Sequence, residues 1–227
     1  MSSGRPLSTF RTAIVLAAAL LAACAGPLAL VPWTPLLSAT LASRGDDPQT
    51  RKTLNDLQLK NDWPGVTRLA RERLAPNPAN ADWLLILGYA QLQQGEYAAA
   101  LDTLDTVTRI NPEDIDAWNL LAEGQHLLHQ DDKAARTLQR AMSVDAASPV
   151  SPYLLGEIDR EAGRLDRAIA FYRRSVQLES EYAPAWYAMG LCFIRQGRQQ
   201  ELDEVLSALK KLEPRMAASL EQQAKAR

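Results

Sequence analysis

The chain of 227 residues is short of the groups that usually do chemistry. It holds only 2 cysteines and 2 histidines, and no CxxC pair. Two thiols cannot build a disulfide framework, and nothing has the Cys/His spacing of a zinc site. Phosphate-cradling and nucleophile motifs are missing too: there is no GxGxxG, no Walker-type loop and no GxSxG elbow. Charge of one sign is also lacking, with 25 basic against 27 acidic side chains and a net charge of −2. That balance argues against nucleic acid or an anionic membrane surface as the main electrostatic partner. Hydrophobic residues at 47% and charged residues at 23% are ordinary for a globular protein, so the length suits one domain or two. These shortages point away from an enzyme and give no reason to expect a cofactor or a metal.

The first residues differ from the rest. Arg5 and Arg11 form a basic start without acids, followed by the apolar run Thr12–Ala23 and then Cys24. A charged start and a short apolar stretch are the physical signature of a secretory signal. Leu21-Ala22-Ala23-Cys24 resembles the bacterial lipobox, in which the cysteine is lipidated and becomes the first mature residue. The expectation is a lipoprotein signal over 1–23 and an apolar, proline-containing tether over 24–46. Cleavage there removes two arginines and no acid, moving the net charge from −2 to −4. Ala25 follows the cysteine where retention in the inner membrane would call for aspartate, so by that resemblance the outer membrane is favoured, facing the periplasm. An uncleaved anchor is the competing reading, because apolar residues continue to Leu41; Pro27, Pro32 and Pro35 weigh against a continuous helix there.

Beyond the tether a period of 34 residues sets in. Gly88, Gly156 and Gly190 are in phase, as are Gly95, Gly163 and Gly197. Ala100, Ala134 and Ala168 keep the same step, and so do Leu104, Leu138, Tyr172 and Leu206. Pro78, Pro112 and Pro214 form a further column. Small residues at the eighth and twentieth positions let two helices approach closely, and glycine at the fifteenth makes the tight turn between them. Proline at the thirty-second stops the second helix. No such unit buries its own apolar face, so neighbours must stack.

These columns resemble the tetratricopeptide repeat (TPR), a pair of antiparallel helices. The resemblance covers five units at 47–80, 81–114, 115–148, 149–182 and 183–216. It implies an all-α solenoid, a right-handed superhelix, closed by a polar C-terminal helix that ends over 217–227. The turn column departs from glycine at Asn61 and His129, and Ala122 replaces the first glycine of its unit. Asparagine tolerates the left-handed backbone that this turn needs.

The resemblance also implies that first helices line a concave groove through their second, fifth, ninth and twelfth positions, where a protein or peptide segment binds. The candidate groove residues are Tyr89, Asn119, Glu123, His126, Tyr153, Glu157, Arg160 and Tyr187. Tyrosine suits such recognition, since it offers area and a hydrogen bond at low entropy cost. Glu123 and Glu157, with Asp82 and Asp116, favour a neutral or locally basic ligand. A carboxylate clamp is excluded, because Ile86, Asp116 and Leu120 stand where it needs polar or basic groups.

Rival chemistry finds little support. His126 and His129 are three apart with Asp131 and Asp132 following, but no third metal ligand has a required spacing. Cys192 reads as a small buried hydrophobe. The expected function is a non-enzymatic, membrane-tethered adaptor in assembly of envelope, secretion or pilus machinery, without nucleic acid. The alternative is an inner-membrane-anchored TPR protein assisting a biogenesis complex such as cytochrome c maturation.

Overall fold

The computed structural model describes residues 41, 43–45 and 47–226. The signal, the lipidation site Cys24 and nearly all of the tether lie outside the described residues. Eleven helices run from Pro48 to Lys225, and no strand occurs among the described residues. The chain divides into two compact units, one ending at Glu96 and one beginning at Tyr97.

The first unit contains α1 (Pro48–Leu59), α2 (Trp63–Leu74) and α3 (Ala81–Gln93). Each begins on an Asx cap. Asp47 accepts from the Gln49 and Thr50 amides, Asp62 from Gly65 and Asn80 from Trp83. Such a cap answers amides that a helix start leaves without an intrahelical partner. The core joins Leu54 of α1, Val66 and Ala70 of α2, and Trp83, Leu85, Ile86 and Tyr89 of α3. Trp63 meets Tyr89 edge to face at 5.5 Å.

The second unit contains α4 (Tyr97–Ile110), α5 (Ile115–Leu127), α6 (Asp131–Val144), α7 (Val150–Glu161), α8 (Leu165–Leu178), α9 (Ala183–Gln196), α10 (Gln199–Leu212) and α11 (Pro214–Lys225). The second helices are amphipathic with one buried stripe. Ala100, Leu104 and Val107 mark it on α4, Ala134, Leu138 and Ala141 on α6, and Ala168, Tyr172 and Ser175 on α8. That spacing places all three residues on one face of a helix. First helices are buried more widely: α7 is closed off continuously from Ser151 to Asp159.

The turn column holds in every unit. Gly95, Gly163 and Gly197 have φ of 75°, 74° and 70°, and Asn61 and His129 adopt 53° and 57°. Asparagine and histidine therefore accept a conformation that costs an L-residue roughly 1–2 kcal/mol. The eighth column is a close-approach site. A Cβ added at Gly156 would run into the Tyr172 ring, and one at Gly190 into Leu220 of α11. Leu220 and Ala217 bury the inner side of that terminal helix, while Lys210 of α10 reaches Glu221 at 2.7 Å.

Two tryptophans repeat one device. Trp118 donates its indole N–H to the Pro112 carbonyl at 2.8 Å, and Trp186 does the same to the Ser180 carbonyl at 2.8 Å. Each ties the start of a first helix to the turn that precedes it.

Candidate functional site

In the second unit α5, α7 and α9 are successive neighbours, so their fifth, ninth and twelfth positions stand in rows. Between α5 and α7 two ties cross. Ser151 Oγ donates to Asn119 Oδ1 at 2.8 Å, in a buried position. His126 Nε2 lies 3.1 Å from a Glu161 oxygen, while its Nδ1 lies 2.7 Å from Asp131 Oδ1. The hydrogen bond to Glu161, then that to Asp131, raise the His126 pKa to about 9 against the opposing effect of burial. At neutral pH the ring is an imidazolium donating from both nitrogens. The same bond holds the Glu161 carboxyl below its usual range.

Glu157 is the centre of a second cluster. Arg160 donates to it in bidentate fashion, at 3.2 and 2.7 Å, and the Tyr172 hydroxyl adds a 2.5 Å bond. Three acceptor contacts make this buried acid a satisfied one. Tyr153 packs beside it in an aromatic group, with Tyr172 at 5.9 Å and Tyr182 at 5.6 Å between ring centres. The Tyr153 hydroxyl has no hydrogen-bond partner, and burial drives its pKa well above the usual value.

Glu123 differs from all of these. It is 4% exposed, and neither carboxylate oxygen has a hydrogen-bond partner. Burial pushes its pKa up to about 8, the His126 charge only partly opposing the rise. At neutral pH it is mostly protonated.

The candidate residues thus fall into three groups. Asn119, Glu123, His126, Tyr153, Glu157 and Arg160 are brought onto the adjoining helices α5 and α7. Tyr187, on α9, is half-buried, and its hydroxyl meets Ser219 at 3.2 Å and Gln223 at 2.6 Å of the terminal helix. Tyr89 lies in the first unit, buried against Trp63. Sequence reasoning did not name Tyr172 and Glu161 as partners, nor Ser151. The tryptophan–carbonyl ties carried a visible signal, since Trp118 and Trp186 each follow by six residues the thirty-second position of the preceding unit.

His126 and His129 are not a ligand pair: His129 occupies the left-handed turn and His126 is held by two carboxylates. Among the described residues no group of three or more His, Cys, Asp or Glu could hold a metal ion. Cys192 is buried and its pKa is raised to about 11 by that burial, which keeps the thiol protonated.

Tetratricopeptide repeat models match residues 66–124 and 153–201. Those two stretches carry these repeats. Among solved structures, TTC0263, a thermophilic TPR protein of Thermus thermophilus, superposes with a TM-score of 0.65 at 19% identity, covering 75% of this chain and 93% of that one. YrrB, described as a TPR protein with an unusual peptide-binding site, gives a TM-score of 0.52 at 19% identity, covering 74% and 88%. Among curated proteins, mouse superkiller complex protein 3 is 25% identical over 116 residues. That stretch is 51% of this chain and only 7% of the relative's length. At these identities the likeness establishes the fold.

Proposed function

We propose that the chain is an adaptor that binds a protein or peptide segment along its first helices. One observation carries this: α5, α7 and α9 gather tyrosines, an amide, acids and an arginine on adjoining helices, with no nucleophile–base pair among them. Peptide binding by the structurally similar YrrB supports the reading. The sole thiol of the second unit is protonated and buried, which speaks for a scaffold and against nucleophilic catalysis.

The N-terminal sequence supports the rest of the reading. Cys24 carries lipid after removal of 1–23, and the lipid holds the repeats on the periplasmic side of a bacterial envelope, at the outer membrane, for assembly of envelope, secretion or pilus machinery. A lipoprotein cysteine bearing several acyl chains exceeds the marginal hold of one chain. Among the described residues no helix is long and apolar enough to cross a membrane.

Two measurements test this. Metabolic labelling with a palmitate analogue is expected to mark the wild-type chain and not Cys24→Ser. Intact 1–23 on the mature protein would overturn the lipid anchor in favour of an uncleaved one. A photo-crosslinker at half-buried Tyr187 is expected to capture one envelope protein that a crosslinker at exposed Arg173 misses. Equal, diffuse capture from both positions would overturn the groove reading.

A further inference from the structure

The last turn of a first helix is tied to the helix pair before it. At the close of α3, Gln94 donates to Thr67 of α2 at 2.7 Å. Glu161 of α7 meets His126 of α5 at 3.1 Å, and Gln196 of α9 donates to Asp166 of α8 at 2.9 Å. Gln94 and Gln196 hold the fourteenth repeat position and Glu161 the thirteenth. The same turn of helix is therefore seated on the preceding unit each time.

Two places break this pattern. Counted from Ala217, α11 ends at the ninth position, Lys225, before the turn that would be seated on α9 and α10. A recess of about 200 Å³ is open there, lined by Phe193, Gly197, Arg198, Gln199, Leu202 and Ala224. Leu202 stands in the column that holds Ala100, Ala134 and Ala168 elsewhere, and it adds apolar surface to the lining. Arg198 lies over the Phe193 ring at 4.8 Å and is held by Glu201, so its charge is already answered. The second place is α1, whose last turn is seated on no earlier turn among the described residues. Leu59, at its thirteenth position, is 57% exposed, more than any other large apolar side chain described.

We propose that Leu59 of one copy enters the recess of a second copy, joining two chains head to tail. This goes beyond the reading of the first-helix face and does not depend on it. An aliphatic side chain at the end of a first helix is set into an apolar recess that lacks such a turn. The rims match in charge. Exposed Asp56 and Lys60 flank Leu59, while exposed Asp203 and Lys225 flank the recess, so each sign finds its opposite. The two surfaces differ, so each added copy presents both again and the assembly does not close at two. One leucine and its rim bury far less than the roughly 1,200 Å² of a standard interface. Association is accordingly weak in free solution and grows where copies are concentrated.

The test is photo-crosslinking in the full chain with benzoylphenylalanine in place of Leu59, on a mixture of isotopically light and heavy copies. Dimers and longer species are expected, with light-to-heavy links to the stretch from Phe193 to Leu202 or to Ala224. Ala224→Arg, which fills the recess, is expected to cut the dimer yield about tenfold. Sedimentation supplies a second readout. Leu59→Asp and Ala224→Arg should each stay monomeric alone. Mixed, they should pair one to one and stop there, since one keeps only the recess and the other only the leucine. Links within a single copy only, links mapping elsewhere, or a wild type that stays monomeric at every concentration would overturn the inference. So would a mixture of the two variants that does not pair.

Discussion

On α3 the fifth, ninth and twelfth positions of the repeat are Leu85, Tyr89 and Leu92, each at most 2% exposed. On α5 and α7 the same positions carry Asn119, Glu123 and His126, and Tyr153, Glu157 and Arg160. One fold position is thus filled in one region by apolar surface and in another by a polar ladder. Apolar burial is nondirectional and tolerates small shifts of register. Polar burial needs every donor and acceptor matched, and a single unmatched group is felt in full. The helix starts differ in a similar way. Asx caps serve α1, α2 and α3, and Asp114 serves α5, whereas α6 to α11 show no side-chain cap.

The largest break in this comparison should come from the aromatic group. Tyr153→Ala removes a fully buried ring and is expected to cost about 3–5 kcal/mol in urea unfolding, with Leu85→Ala costing about 2–5 kcal/mol. Tyr153→Phe sharpens the contrast. It deletes only an unanswered hydroxyl, so stability should hold or rise slightly, whereas Tyr172→Phe should lose stability with its bond to Glu157.

Gly156→Ala comes next, at about 1–3 kcal/mol. The added methyl would displace the Tyr172 ring, so loss of the Glu157 contact should accompany the unfolding shift in the tyrosine spectrum. The ties of His126 are smaller and depend on pH. Its folded pKa of about 9 lies above the ordinary 6.5. Its contribution is therefore complete below pH 6.5 and lost as pH rises through 9. About 1–2 kcal/mol is expected after screening at the half-exposed Glu161, read as the difference between wild type and His126→Gln across that range. Smallest is His129→Gly. Relief of the left-handed backbone, less the entropy of glycine, should stabilise by about 0.5 kcal/mol. A comparable loss would mean that the histidine side chain contributes more than its backbone costs.

How far the sequence could be read follows from what each residue type encodes. The helix pairs were legible because Gly95, Gly163 and Gly197 mark turns by a backbone need that few residues meet. Asn61 and His129 show the limit of that signal, since the turn persists where the marker is gone. The stripe of Ala100, Leu104 and Val107 was legible from helical spacing. The ladder was not. Register placed Asn119, Glu123 and His126 together, but whether a carboxylate is answered depends on rotamers across two helices. Nothing in the sequence distinguishes satisfied Glu157 from unsatisfied Glu123, which occupy the same repeat position. Tyr89 and Tyr153 were read as contact residues because tyrosine suits recognition, and both are buried in the core.

The most direct measurement is urea unfolding of wild type and Glu123→Gln at intervals from pH 4.5 to pH 9. Glu123 keeps its proton in the folded chain up to about pH 8, while the unfolded chain releases it near the ordinary value for a glutamate. Folding therefore loses more across that range in wild type than in Glu123→Gln, where the contribution of His126 still falls away above pH 6.5 as it does in wild type. The expected result is two proteins of similar stability near pH 4.5 that diverge as pH rises, with Glu123→Gln ahead by about 2–4 kcal/mol at pH 8. Parallel curves at every pH would contradict it, showing that the Glu123 carboxyl is answered in the folded chain.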